Sequence, residues 1–218
     1  ETLETKETIL PIDYSNVKGL KFIDLFAGVG GFHQALNRLG GTCVFASDID
    51  EKCRETYEKN YNLKPHGDIT KVDIKTIPDF DVLCGGFPCQ SFSNSGKKKG
   101  FDDKRGQLYE YILDIASNKK PSFMFLENVK HIKKIDDGKV FQHIIKRINE
   151  TGYNVDVTEL SPHQLGIPQQ RERIVFICIR NDIYDVEKKI DYTPGDVPIN
   201  FDNILEKDST KTNKYKIS

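Results

Sequence analysis

A chain of 218 residues, 37% hydrophobic and 30% charged, is long enough for one sizeable α/β domain and too apolar for a disordered polyelectrolyte. Its formal net charge of −1 gives no compositional sign of a nucleic-acid partner, because a free-standing DNA binder is usually basic. No apolar run nears the roughly 18 residues of a membrane span and no signal-peptide pattern opens the chain, so no membrane association is expected. The five cysteines (Cys43, Cys53, Cys84, Cys89 and Cys178) are odd in number and lack C-x2-C spacing. No metal site is expected, and reduced thiols in a cytosolic or nuclear compartment are the reading.

In chain order, residues 1–19 are polar and weakly patterned and read as a lead-in. Residues 20–26 predict a buried strand, followed by a glycine turn and a helix over 31–39. A second strand at 42–47 and a charged helix over 51–60 come next, then a short strand near 64–69 and another strand at 80–86. A long loop rich in Ser, Gly and Lys follows. A helix over 107–117, a strand at 122–128 and a helix over 137–151 continue the alternation. Short apolar runs bounded by turn residues and separated by helices predict an α/β fold, a doubly wound and mostly parallel sheet.

The last two apolar runs, 153–160 and 173–180, differ from the rest. Pro162, Gly166 and Pro168 lie between them and cannot hold a regular helix, whereas a parallel return needs a crossover. One antiparallel strand is therefore expected near the C-terminal end. Beyond Arg180 the hydrophobic pattern fades, and 206–216 is polar. The expected division is a lead-in at 1–19, one domain over 20–180, and a linker or the start of a further region at 181–218.

Asp24-Leu25-Phe26-Ala27-Gly28-Val29-Gly30-Gly31 follows the first strand and opens a helix. Glycines here let the backbone turn tightly and approach a ligand, with helix N-terminal amides facing it. The spacing is G-x-G-G, not the dinucleotide G-x-G-x-x-G. Asp48 lies 20 residues after Gly28 at the end of the second strand, where an acid can accept hydrogen bonds from ribose hydroxyls. Asp68, at the end of the short strand, is placed to reach an exocyclic adenine amine. A plain turn with two solvated caps is the bland alternative. Three such features at successive strand ends favour a nucleoside cofactor without a pyrophosphate.

Gly85-Gly86-Phe87-Pro88-Cys89-Gln90-Ser91-Phe92-Ser93 follows the strand at 80–86. A lone cysteine is usually a small core hydrophobe, and Cys43, Cys84 and Cys178, inside strand runs, keep that reading. Cys53 sits on a charged helix without sign of a role. Cys89 is flanked by poor core formers and belongs on a loop. With Glu127-Asn128-Val129 at a strand end, Gln170-Arg171-Glu172-Arg173, and Phe26-Ala27-Gly28-Val29-Gly30-Gly31-Phe32, this segment resembles the DNA cytosine-5 methyltransferase family of bacterial restriction-modification systems. The resemblance runs in order from about residue 20 to 180.

The resemblance implies a methyltransferase fold that uses S-adenosyl-L-methionine, with S-adenosyl-L-homocysteine as product, and acts on double-stranded DNA with the target base flipped out of the helix. Cytosine carbon 5 is a poor nucleophile. A Cys89 thiolate adding at carbon 6 makes the ring enamine-like, so carbon 5 can attack a methyl group. A lowered thiol pKa would help. By the same resemblance Glu127 hydrogen-bonds ring nitrogen 3 and the exocyclic amine, a task suited to a partly buried acid whose pKa desolvation raises. Arg173 contacts the 2-oxo group and Arg171 is its neighbour; an ion pair with Glu172 is the bland alternative for either arginine. Cofactor contacts carry over to Phe26, Ala27, Gly28, Val29, Gly30, Gly31, Asp48, Ile49, Asp68, Ile69, Pro88 and Leu108. Residues 91–106 resemble the family's catalytic loop, with Lys97, Lys98, Lys99, Lys104 and Arg105 as phosphate contacts.

Relatives of this kind continue with a target-recognition domain, an Asn-bearing segment and a helix that completes the cofactor pocket, and none is found after Arg180. The only methionine is Met124, so the native start is expected to be missing. Half of a split enzyme needing a second subunit, or a fragment needing its C-terminal segment, are both open. A tRNA cytosine-5 methyltransferase is the alternative among enzymes; that branch has a second proline where Phe87 stands. A non-catalytic regulatory subunit is the alternative outside enzymes.

Overall fold

A computed structural model describes residues 19–88, 108–185 and 197–198. Six strands form one sheet: β1 (Lys21–Leu25), β2 (Thr42–Ser47), β3 (Val82–Gly86), β4 (Phe123–Val129), β5 (Tyr153–Leu160) and β6 (Arg173–Arg180). Their spatial order is β2-β1-β3-β4-β6-β5. The pairs β1–β2, β1–β3 and β3–β4 are parallel, and β6 runs antiparallel to both β4 and β5. The mostly parallel sheet with a single reversed strand matches the expectation, and its cause is the proline-bearing connection before β6.

Helices α1 (Gly31–Arg38), α2 (Glu51–Tyr61), α3 (Leu108–Lys119) and α4 (Lys139–Glu150) cover the sheet. The central strands are buried on both faces, which is why they read as unbroken apolar runs. On one face Ile23, Leu25 and Leu83 pack with Ile112 and Ile115 of α3 and Ile144 and Ile148 of α4. On the other, Phe22, Cys43, Val82 and Cys84 surround Tyr57 of α2. The Tyr153 hydroxyl donates to the Pro121 carbonyl at 2.8 Å, tying the start of β5 to the entry of β4.

Three local expectations are corrected. The strand near 64–69 is a single parallel bridge between His66 and Ser47, followed by a 3₁₀ turn at Ile69–Lys71. Pro65 has no amide to donate, and the Asp68 carboxylate accepts from the Thr70 amide at 3.0 Å, which starts the turn instead of prolonging a strand. Second, β1 ends at Leu25 because Phe26 adopts a left-handed φ of 55°. Third, the helix expected from 137 begins at Lys139, after a 3₁₀ stretch (Lys130–Gly138) in which Asp136 and Asp137 take positive φ.

Ile144 is 1% exposed in the apolar stripe of α4. Ile144→Ala is expected to cost about 2–5 kcal/mol through lost transfer energy and a residual cavity, read from the midpoint of urea unfolding.

Candidate active site

All five co-directional strands point their carboxyl ends to one edge, and the loops leaving β1, β2 and β3 meet there. Left-handed conformations at Phe26 (φ 55°), Gly28 (φ 56°) and Gly30 (φ 92°) fold the first loop back on itself. At Phe26 this conformation is unfavourable for an L-residue by about 1–2 kcal/mol, and the surroundings fix it. The Ala27 amide donates to the Ser47 carbonyl at 3.0 Å, and the Gly30 amide donates to the Ala27 carbonyl at 2.9 Å. Asp48 joins the loops: its Oδ2 accepts from the Gly28 amide at 2.7 Å and its Oδ1 from the Asp50 amide at 2.8 Å. A side-chain acid at this position therefore shapes the turn, and each oxygen retains a lone pair toward a ligand.

A cavity at this edge is lined by Phe26, Ser47, Asp48, Ile49, Gly67, Asp68, Ile69, Pro88 and Leu108. Seven of these nine were singled out as cofactor contacts from the sequence. Ala27, Gly28, Val29, Gly30 and Gly31 do not line it but form the adjacent turn bonded to Asp48. Ser47 and Gly67 were missed. Ser47 reads as the last residue of a strand, yet its buried hydroxyl has no partner among the described residues. A buried hydroxyl without a partner is costly unless a ligand satisfies it. Asp68 is both cap and candidate ligand group: Oδ1 accepts from the Thr70 amide and hydroxyl, and Oδ2 bonds to no described residue. Apolar walls, two carboxylates and an orphan hydroxyl fit a nucleoside. A larger concavity of about 630 Å³ lined by Lys120, Glu150, Arg180 and Asp182 lies where β4 begins, at the opposite edge, and holds none of the predicted residues.

Next to the cavity, Glu127 near the end of β4 and Arg173 at the start of β6 form an ion pair, with Nε 2.5 Å from Oε1. Their side chains are 32% and 21% exposed, so the pair is reachable yet partly shielded. Opposite Glu127 on β3 stands Gly86, where a Cβ would lie 3.3 Å from Oε2. The missing side chain leaves the carboxylate open toward β3. The bland alternative for the arginines is not what forms: the Glu172 carboxylate pairs with Lys130 at 3.1 Å, while Arg173 Nη1 donates to the Glu172 carbonyl at 2.9 Å. Arg171 is not brought to the pair. Its amide donates to Ser161 Oγ at 3.0 Å, and its side chain is exposed.

Asn128 is 2% exposed and was noted only as part of a motif. Its Nδ2 donates to the Phe87 carbonyl at 3.0 Å and its Oδ1 accepts from the Val129 amide at 2.8 Å. That bond fixes the chain two residues before Cys89. Cys89 and the lysine-rich stretch of 91–106 lie outside the described residues. Among the described cysteines burial pushes every thiol up: Cys43 to about 11, with Cys84 and Cys178 also raised and Cys53 raised in the same direction. None is poised as a thiolate.

The fold is that of a methyltransferase sheet with its loops gathered at one edge. Residues 20–218 match the model of the C-5 cytosine-specific DNA methylase family, and the chain belongs to it. Type II methyltransferase M.HhaI of Haemophilus parahaemolyticus is 48% identical over 175 residues, 80% of this chain and 54% of that protein. Type II methyltransferase M1.ScrFI of Lactococcus lactis subsp. cremoris is 42% identical over 217 residues, 96% of this chain and 54% of its own length. The chain thus spans about half the length of these curated relatives. Among solved structures, a DNMT2 variant of Spodoptera frugiperda matches with a TM-score of 0.70 at 25% identity, over 87% of this chain and 60% of that one. Dnmt2 methyltransferase of S. pombe matches with a TM-score of 0.67 at 25% identity, over 90% of this chain and 66% of its own.

Behind the glycine turn, Asp24 is 1% exposed and its Oδ1 has no partner among the described residues. Burial pushes its carboxyl up to about 8, against the pull of the His33 amide and the Tyr57 hydroxyl, and the Asp48 charge adds to the rise. A raised acid keeps its proton in the folded state after the unfolded chain has lost it. Its stabilisation is therefore complete below about pH 4 and is lost as pH rises toward 8. Asp24→Asn is expected to stabilise the fold by roughly 2–5 kcal/mol at pH 8 and hardly at all at pH 4, measured by urea unfolding at both pH values.

Proposed function

We propose that this chain carries the catalytic half of a methyltransferase acting on carbon 5 of cytosine in double-stranded DNA, with S-adenosyl-L-methionine as donor and Cys89 as nucleophile. The observation that carries the reading is the shared edge: the cavity is lined by Pro88, the residue that precedes Cys89 in the chain, and Glu127 of the Glu127–Arg173 pair is in register with Gly86 at the same strand end. Membership of the methylase family supplies the reaction class. The domain over 20–180 is the catalytic, cofactor-binding unit in this reading.

The cofactor, when bound, supplies an electrophilic methyl group. Phe26, Ile49, Ile69 and Leu108 are positioned to cover its base, Asp48 to take its ribose hydroxyls and Asp68 its exocyclic amine. The target cytosine leaves the duplex and presents its edge to the Glu127 carboxylate, on the side that Gly86 leaves open. Glu127 accepts from the exocyclic amine and shares a proton with nitrogen 3, which neutralises charge as it develops on the ring. Arg173, already held against Glu127, donates to the 2-oxo group. The Cys89 thiolate forms a bond to carbon 6, the ring double-bond electrons pass to carbon 5, carbon 5 takes the methyl group with S-adenosyl-L-homocysteine as the leaving product, and loss of the carbon 5 proton to water restores the double bond and expels the thiolate. Arg171, exposed beside this site, is left to the DNA, as are Lys97, Lys98, Lys99, Lys104 and Arg105 for phosphates. A recognition segment or second subunit supplies sequence-specific contacts. The type II relatives favour DNA over tRNA as substrate, and a bacterial cytosol as the setting.

DNA with 5-fluorocytosine at the target position should form a denaturant-stable adduct with Cys89, because fluorine cannot leave as a proton does. Mass mapping should place it on Cys89, and Cys89→Ser should lower methyl transfer at least 10³-fold, on the scale of a lost nucleophile. An active protein that forms no adduct, or a Cys89→Ser variant with near-normal turnover, would refute the mechanism.

A further inference from the structure

Helix α2 has a sequence with little reason to stay on the sheet: of its 11 residues only Tyr57 is buried. Yet it makes the side-chain contacts that hold two loops at the cavity. Near its start, Nη1 of Arg54 donates to the Asp48 carbonyl at 2.9 Å and to the Ile49 carbonyl at 2.8 Å. At its end, the Tyr61 hydroxyl donates to the Gly30 carbonyl at 2.9 Å. Gly30 is the N-cap of α1 and has no side chain with which to fix its own geometry. The Tyr61 ring fills the space that a Cβ on Gly30 would need, since that atom would lie 2.2 Å from the ring.

The ring is itself held. Tyr61 stacks on His33 with centroids 3.8 Å apart and planes 15° from parallel. His33 Nδ1 meets the Tyr57 hydroxyl at 2.7 Å, and that hydroxyl donates to Asp24 Oδ2 at 3.4 Å. The chain is satisfied when Nδ1–H of neutral His33 donates to Tyr57 and Tyr57 donates to Asp24. Burial lowers the His33 pKa, which favours the neutral ring this direction requires. Tyr57 and Tyr61 lie one helical turn apart, so both face the sheet from the same side of α2.

We propose that α2 is a clamp on the cofactor rim, with Arg54 and Tyr61 as positioning residues that hold the Asp48–Ile49 and Gly30 backbones in the shape that receives the methyl donor. The inference rests on reading that rim as the cofactor site. Neither residue is required to touch the donor. Arg54 reads in the sequence as one more charge on a solvated helix, and Tyr61 as a half-apolar helix end. Both Arg54 bonds leave one guanidinium nitrogen, and a charged donor of this kind makes a stronger hydrogen bond than a neutral one.

The test uses the full-length protein, with S-adenosyl-L-homocysteine and S-adenosyl-L-methionine as calorimetric probes and initial rates at varied S-adenosyl-L-methionine. Tyr61→Phe keeps the ring and its stacking but removes the hydroxyl; Arg54→Met keeps an unbranched apolar stem but removes the charged donor. Each is expected to raise Kd and KM for the donor about 3–10-fold, the scale of one or two lost hydrogen bonds, with kcat at saturating donor within twofold of wild type. The double variant is expected to lose about 10–100-fold, because the two contacts hold separate loops. Variants whose Kd and KM match wild type overturn the clamp, whether or not their thermal midpoint falls, and so does a loss confined to kcat. If the wild-type protein binds neither probe, the cofactor reading itself fails and takes the clamp with it. Binding by wild type with unchanged binding by the variants refutes the clamp alone.

Discussion

The reversal of one strand is the constraint on which the site depends. Because β6 runs antiparallel to β4, its first residue lies beside the last residues of β4, with Arg173 in register with Val129. A parallel β6 of eight residues would carry Arg173 to the far edge of the sheet, about 23 Å away at 3.3 Å per residue. Glu127 would then face the site without its guanidinium. The connection with Pro162, Gly166 and Pro168, too irregular for a helix, is what lets a single sheet present an acid and a base on the same rim. The parallel half of the sheet supplies the rest, since strands that share a direction must release all their following loops on one side.

Within that frame, polar contacts divide between those that set shape and those left for a ligand. Asp48 makes both kinds, with its oxygens on the Gly28 and Asp50 amides and lone pairs to spare. Asp68 separates them by atom, and the Ser47 hydroxyl has no partner among the described residues. Asn128 is purely architectural: both ends of its amide are bonded to backbone, and its burial makes each bond costly to lose. The chain leaving β3 is thereby tied at Phe87 to the strand that carries Glu127.

Much of this was legible in the amino-acid sequence, for identifiable reasons. Strands buried on both faces announce themselves as apolar runs, and the glycine turn, Cys89 segment, Glu127 and Arg173 stand at strand ends where chemistry is usually carried. Less legible were features decided by a single contact. Only Pro65 and the Asp68 cap mark the bridge at His66 off from a short strand, and nothing local distinguishes the left-handed Phe26 from the last residue of β1. Arg54 and Tyr61 look like solvent-facing helix positions because their partners are backbone carbonyls contributed by other loops. Ser47 looked like an ordinary strand terminus, since an empty hydrogen-bonding capacity leaves no mark on composition.

Ile49 lines the cavity while keeping 75% of its surface in water. An apolar side chain held open at the mouth of a cleft is hydrated until something covers it, and covering it releases that water. Occupation of the cleft should therefore carry a negative heat-capacity change, so that the enthalpy of occupation grows more favourable on warming while its entropy declines. The rim thus has a thermal character of its own, set by one branched aliphatic residue rather than by the charges around it.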